Sequence, residues 1–404
     1  MSGPTADAAP AGRMLAGLLV LAAVVGTVNG LSRVAMPLFA ASLGAQAWQV
    51  GLVGGLGYAG MLTLALPMGA WIDRHGSRTM FSRGVVLAVL GYAAMTLVQQ
   101  PWQAVLGAAL LGLVLPMRVI PSHTEFLALL PRLSATRAGW NRGANTVGMF
   151  FVGPALSAAV IAAAGFRAVF TVAAAGLALA FAVGRRVLQG PPDARPAAPA
   201  DDGLLPRVRA QLRLVAGHAP LQRTMAIDFL TQLAVAYFVV FAIILATRRF
   251  GMPLQAAAGL VTLQGATYVG VLLFGGALVM RWDEERRYTL AFVLLALQGL
   301  LCGLGGSPAG LWAGAALMGL GMGVQGLTST TRYAGLMRDH GRGLVGGLGS
   351  LAPPAGGVLG AVGGGLVSQR WGTEAGFTAL GLAYAGLALL QLPRLRARRV
   401  DEGD

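Results

Sequence analysis

The sequence has no lysine among its 30 basic residues, one cysteine, and charge on only 11% of its 404 residues. Without lysine it has no phosphate-binding loop of the GxxxxGK[ST] kind, which excludes ATP hydrolysis by that route. A single cysteine, Cys302, excludes an intrachain disulfide. No HExxH, no GxSxG and no cluster of His and Cys is present, so neither an enzyme, a metal site nor a cofactor is expected. With 56% hydrophobic residues and a mean hydropathy of +0.68, the chain is too apolar for an ordinary soluble domain. What fills it instead are long apolar runs, each near the roughly 20 residues that a membrane crossing requires.

Twelve such runs can be placed, at 14–41, 48–70, 79–98, 102–130, 140–164, 166–184, 224–247, 253–280, 288–304, 308–331, 343–367 and 372–392. They predict an all-α integral membrane protein of 12 transmembrane helices in two six-helix halves. The expected domains are residues 1–184, a Pro- and Ala-rich linker at 185–220, and 221–404 with its tail. Arginine sets the orientation, because basic residues of short loops stay in the cytoplasm. The loops on one side carry only Arg167, Arg248, Arg249 and Arg370, and nearly all the rest lie on the other, which puts both termini in the cytoplasm. The seven Trp residues fall near run ends, where an indole is most stable. The net charge of +15 is therefore topology, with attraction to anionic lipid, and no nucleic-acid partner is expected.

A shift of 207 residues aligns Gly44 with Gly251, Gly69 with Gly276, Arg74 with Arg281 and Gly153 with Gly360, the mark of related halves. Between the second and third runs lies LPMGAWIDRHGSRTMFSR, in which Gly69 and Gly76 are expected to turn the backbone around Asp73, Arg74 and Arg78. This loop resembles the signature loop of major facilitator superfamily transporters, and the resemblance covers essentially the whole chain. It implies six plus six helices, a small-molecule site between the halves, alternating access and a monomer. It also implies a gate in which Asp73 meets the start of the eleventh helix near Gly343, where the helix dipole favours a carboxylate. The segment GMFFVGPALS is similar to the fifth-helix motif of proton-driven exporters at Gly153 and Pro154, and reads equally as a plain proline kink.

Apart from Glu374 at the very start of the last run, two acids fall inside the runs, Glu125 with His123 beside it, and Asp228. These three are candidates for proton coupling; the alternative is an interfacial acid paired with Arg132, Arg142 or Arg223. Two arginines, Arg33 and Arg118, also lie inside runs, at a cost on the order of 3 kcal/mol each. Both are expected to attract an anionic or metal-chelating substrate, the alternative for Arg118 being a salt bridge to Glu125 two turns on. Further polar candidates for the substrate site are Asn29, Tyr58, Asn145, Gln232, Tyr237, Gln264, Tyr268 and Gln325. With the many Met and Phe residues they suit a partly apolar organic solute better than a bare ion. The expectation is a secondary active transporter of the bacterial inner membrane, exporting a drug-like or siderophore-like compound against protons. The rivals are an importer of an organic anion or nutrient, and a transporter-like sensor.

Overall fold

The computed structural model describes residues 8–129, 140–189, 217–340 and 351–401, and among these no strand occurs. The first half contains α1 (Ala8–Ser42), α2 (Ala47–Thr63), α3 (Ala65–His75), α4 (Ser77–Met95) and α5 (Pro101–Leu129). It ends with α6 (Trp140–Val147), which runs through a π turn at Gly148–Val152 into α7 (Gly153–Val187). The second half contains α8 (Ala219–Arg248), α9 (Leu254–Gly270), a π turn at Val271–Gly275, α10 (Gly276–Val279), α11 (Glu284–Leu304), α12 (Pro308–His340), α13 (Ala352–Trp371) and α14 (Thr373–Asp401). Each of the twelve expected segments is helical through its described body. Most of the expected linker, and Gly343, lie outside the described residues.

Among the described residues, eight helical runs are long and apolar enough to cross a membrane, and one of them, Gly143–Val187, has 45 residues. At 1.5 Å per residue this is about twice the roughly 30 Å of a bilayer core, so it holds two crossings. The break is Gly165, whose φ of 79° and ψ of −179° belong to a region reserved for glycine. Gly372, 207 residues later, has φ 86° and separates α13 from α14 in the same way. Gly44 and Gly251, also 207 apart, both have positive φ and close the turn after the first helix of their halves. Replacing Gly165 with Ala is expected to cost about 1–3 kcal/mol, read as a lower Tm of the purified protein. The cost is backbone strain alone, since no atom lies within 4 Å of the added carbon.

The repeat extends to places where helices meet. Gly112 leaves no room for a side chain against the Leu56 carbonyl, and Gly319, 207 residues later, leaves none against the Gln264 carbonyl. The second helix of each half is also interrupted at matching positions. Thr63 and Ala65 flank a break at Leu64, and the π turn of the second half starts at Val271. Pro67 explains the first interruption, because it has no N–H to give the Thr63 carbonyl. Pro154 likewise explains the π turn before it, which closes with the Gly153 N–H donating to the Gly148 carbonyl.

The chain separates into two compact units, Met1–Phe39 with Leu56–Leu204, and Ala40–Gly55 with Leu205–Asp404. In the first, α4 packs against α5 and α7. Gly26, Gly30, Gly148 and Gly153 let α1 touch the backbone around the proline kink of the fifth segment. In the second, α8 packs along α13 and α11 along α14. The stretch 40–55 belongs to this second unit, where Gly51 lies against Ala361 and Gly365, and Gln369 bonds both Gln46 and the Trp48 N–H. Small residues drive such contacts because lipid offers no hydrophobic reward for helix association.

Candidate functional site

Two polar clusters lie inside apolar helices, one in each unit. In the first unit Arg118 of α5 is 2% exposed, and its Nε and Nη1 have no hydrogen-bond partner among the described residues. The expected bridge to Glu125 is absent: no ion pair joins the two, although Glu125 is itself buried. Two helical turns set them roughly 10 Å apart along the axis, and Pro121 lies between them. The neighbour of the Arg118 guanidinium is instead the Tyr92 hydroxyl from α4. Tyr92 is in turn 2.5 Å from the Ser32 hydroxyl of α1.

Arg33, next to Ser32 in the chain, donates from Nη2 to the Tyr58 hydroxyl at 3.1 Å and lies 5.7 Å from the centre of the Phe150 ring. An arginine so placed keeps its charge against an aromatic face rather than against a carboxylate. Asn145 donates to the Ala22 carbonyl at 3.3 Å and Asn29 is half-buried on the same helix as Arg33. Ser32, Tyr92 and Phe150 are members of this cluster that sequence reading missed. Nothing local distinguishes them, because their roles come from partners on other helices.

In the second unit Asp228 of α8 accepts a short hydrogen bond from the Gln325 amide of α12. The same amide nitrogen reaches the Ser329 hydroxyl at 2.9 Å, and Ser329 and Tyr333 lie beside the carboxylate. No ion pair involves Asp228 among the described residues. Two arginines of the same helices, α8 and α12, are engaged elsewhere. Arg223 holds Glu285 through two bonds of 2.7 and 2.6 Å, and Arg332 holds Glu284 at 3.2 Å. A bidentate arginine–carboxylate pair is among the strongest polar contacts available. Asp283 caps α11 by accepting from the Arg286 N–H, so the acids of this loop are spent on helix start and ion pairs.

Two expected substrate residues have their polar groups engaged inside the unit. Tyr237 is 2% exposed, its hydroxyl is 2.9 Å from Ser368 and donates to the Thr373 carbonyl at 2.7 Å, and its ring packs on Phe241 and Phe377. Its hydroxyl and its ring are thus both engaged within the helix packing of the unit. Gln264 is fully buried where Gly319 presses on its backbone, its amide facing Met322. Tyr268 is also buried, and Gln232 is half-buried with partners of its own. His123 is exposed.

The signature segment is mostly helix. Gly69 lies inside α3 in helical backbone and makes no turn, contrary to expectation, because the single residue Gly76 (φ 79°) suffices to reverse the chain into α4. Arg78 donates from Nε to the Leu188 carbonyl at 2.8 Å, and its N–H meets the Gln189 carbonyl, tying this turn to the end of α7. Arg74 is exposed, and the Asp73 side chain lies outside the described residues.

The sequence matches the family model of the Major Facilitator Superfamily over residues 18–352. No curated protein sequence gives a significant match. Among solved structures, a point mutant of the nucleoside transporter NupG superposes with a TM-score of 0.75 at 13% identity, covering 95% of this chain and 99% of that one. A second NupG structure gives 0.73 at 12% identity, with 94% and 98% covered. At such identity the likeness is one of fold.

Proposed function

The chain belongs to the major facilitator superfamily, and from that premise we propose that it is a proton-coupled exporter of a small, partly apolar organic solute. As a member it is a multi-pass membrane transporter of small molecules and not an enzyme. The direction, the coupling ion and the solute class are the proposal, together with a monomeric state and a bacterial inner-membrane location with cytoplasmic termini. In this reading residues 1–184 and 221–404 are the two moving halves, 185–220 links them, and Gly69, Asp73, Arg74, Gly76 and Arg78 serve the gate.

One observation carries the coupling. Asp228 lies in an apolar helix, held by the amide of Gln325 and neighbouring hydroxyls, while Arg223 and Arg332 of the same two helices are paired to Glu285 and Glu284. A carboxylate with no cation to fix its charge can gain and lose a proton without breaking an ion pair, which is what a carrier must do at each half-cycle. Gly153 and Pro154, at a kink packed against α1, are consistent with the exporter motif.

The test is accumulation of labelled amphipathic compounds and iron chelators in cells with and without the gene and a protonophore. A nucleoside belongs in the panel because solved transporters of this fold carry one. Lower accumulation that needs both the gene and the gradient supports export. Gene-dependent uptake overturns the direction, and flux indifferent to the protonophore overturns the coupling.

A further inference from the structure

We infer that Arg118, Tyr92 and Ser32, with Arg33, Tyr58 and Phe150 beside them, form a subsite for the oxyanion group of an organic solute. The assignment deepens the transport reading and rests on it for the solute's entry and release. Three physical observations carry it.

The first is the hydrogen-bond inventory. Ser32 donates its one proton to the Val28 carbonyl at 2.8 Å. The Tyr92 hydroxyl must therefore be the donor in their 2.5 Å contact, which leaves the Tyr92 oxygen as an acceptor facing Arg118. A guanidinium has five donors and no acceptor, and one neutral oxygen cannot satisfy it. Nε and Nη1 remain without partners on a side chain only 2% exposed. Such a group calls for a further acceptor, and a carboxylate or sulfonate matches the planar fork.

The second is charge. Arg118 meets Tyr92, which meets Ser32, Arg33 is the next residue of α1, and Glu125, the one acid inside the transmembrane segments of this unit, pairs with neither arginine. An anion at Arg118 offsets a buried charge that no carboxylate among the described residues pairs with. The third is surface. The Tyr92 and Tyr58 hydroxyls and the Phe150 ring contact the two guanidinium groups, so the partners available are those of aromatic residues, which favour an anion with an attached organic body over a bare inorganic ion.

The experiment uses the purified full-length protein in detergent and two isosteric probes, benzenesulfonate and neutral benzenesulfonamide. Thermal unfolding is followed by tryptophan fluorescence. The sulfonate is expected to raise Tm with concentration and the sulfonamide is not. Arg118→Gln should weaken the sulfonate by at least about tenfold, Arg33→Gln less, and Arg118→Lys should restore part of the effect, which a misfolded glutamine variant would not explain. Equal shifts from both probes, no shift from the sulfonate, a shift reproduced by sodium chloride at equal ionic strength, or unchanged affinity in Arg118→Gln each overturns the subsite. Because benzenesulfonate stays ionised, its flux through vesicles is a separate arm. Binding without flux keeps the subsite and overturns transport of this solute class. Flux that survives in Arg118→Gln does the reverse.

Discussion

Asp228→Asn is expected to abolish gradient-driven transport, reducing accumulation in reconstituted vesicles to the level of vesicles without protein, while exchange of solute across the membrane continues. The substitution is close to isosteric, and an asparagine can turn its oxygen toward the Gln325 amide that now donates to Asp228. The lattice around it, Arg223 on Glu285 and Arg332 on Glu284, does not pass through the carboxylate and should survive. The fold is thus retained and only the ability to carry a proton is removed. Exchange needs the solute site and the moving halves but no net proton, so it separates a coupling defect from a folding defect. Glu125→Gln is the comparison, since Glu125 is the buried acid of the first unit's spans, whereas Asp228 is half-buried. If Asp228→Asn still concentrates solute against a gradient, Asp228 is not the carrier, whatever drives the protein. If exchange is lost as well, the residue supports structure or solute binding instead.

The architecture was legible because a bilayer imposes a simple rule, and apolar runs of sufficient length obey it. The sequence also showed the repeat, through Gly44 with Gly251 and Gly153 with Gly360. It did not reveal that Gly165 and Gly372 form the same pair, since a glycine at φ near 80° looks in sequence like any other of the 60 glycines. The interruption at Leu64 was hidden for a different reason: both sides remain apolar and helical, and only the backbone hydrogen bonds change. The candidate sites were legible by residue type and not by partner. Asp228, Gln325, Arg33 and Tyr58 stood out as polar groups in apolar helices, and each joins a cluster. Tyr237 stood out for the same reason and turned out to serve packing, because hydrophobic patterning cannot tell a hydroxyl aimed at a cavity from one that satisfies the Thr373 carbonyl. The Arg118–Glu125 pairing failed because a shared helix face sets direction but not reach.

The second large effect concerns packing within the second unit and has an internal control on one helix. A Cβ on Gly360 would collide with the Leu233 carbonyl, and one on Gly356 with the Phe229 carbonyl. Both obstacles are backbone of α8, so no side chain can move aside. An added methyl at either place must push α13 away from α8, the helix that bears Asp228. Overpacking of this kind costs about 1–3 kcal/mol, and in a membrane there is no gain in buried apolar surface to offset it, because lipid is as apolar as the added methyl. Gly363 lies on the same helix, yet its Cβ would find only the Leu359 side chain, 3.6 Å away. Gly363→Ala should therefore be neutral or slightly stabilising, within about 1 kcal/mol, by helix propensity. Gly360→Ala should lower Tm and the yield of monodisperse protein in gel filtration, and Gly356→Ala should do the same. Because the register of α8 sets the Asp228–Gln325 contact, Gly360→Ala should also lower gradient-driven transport per folded molecule, while Gly363→Ala leaves it unchanged. Equal behaviour of the Gly360 and Gly363 variants would mean that the α8–α13 interface relaxes freely, and that close backbone packing does not hold the carboxylate in place.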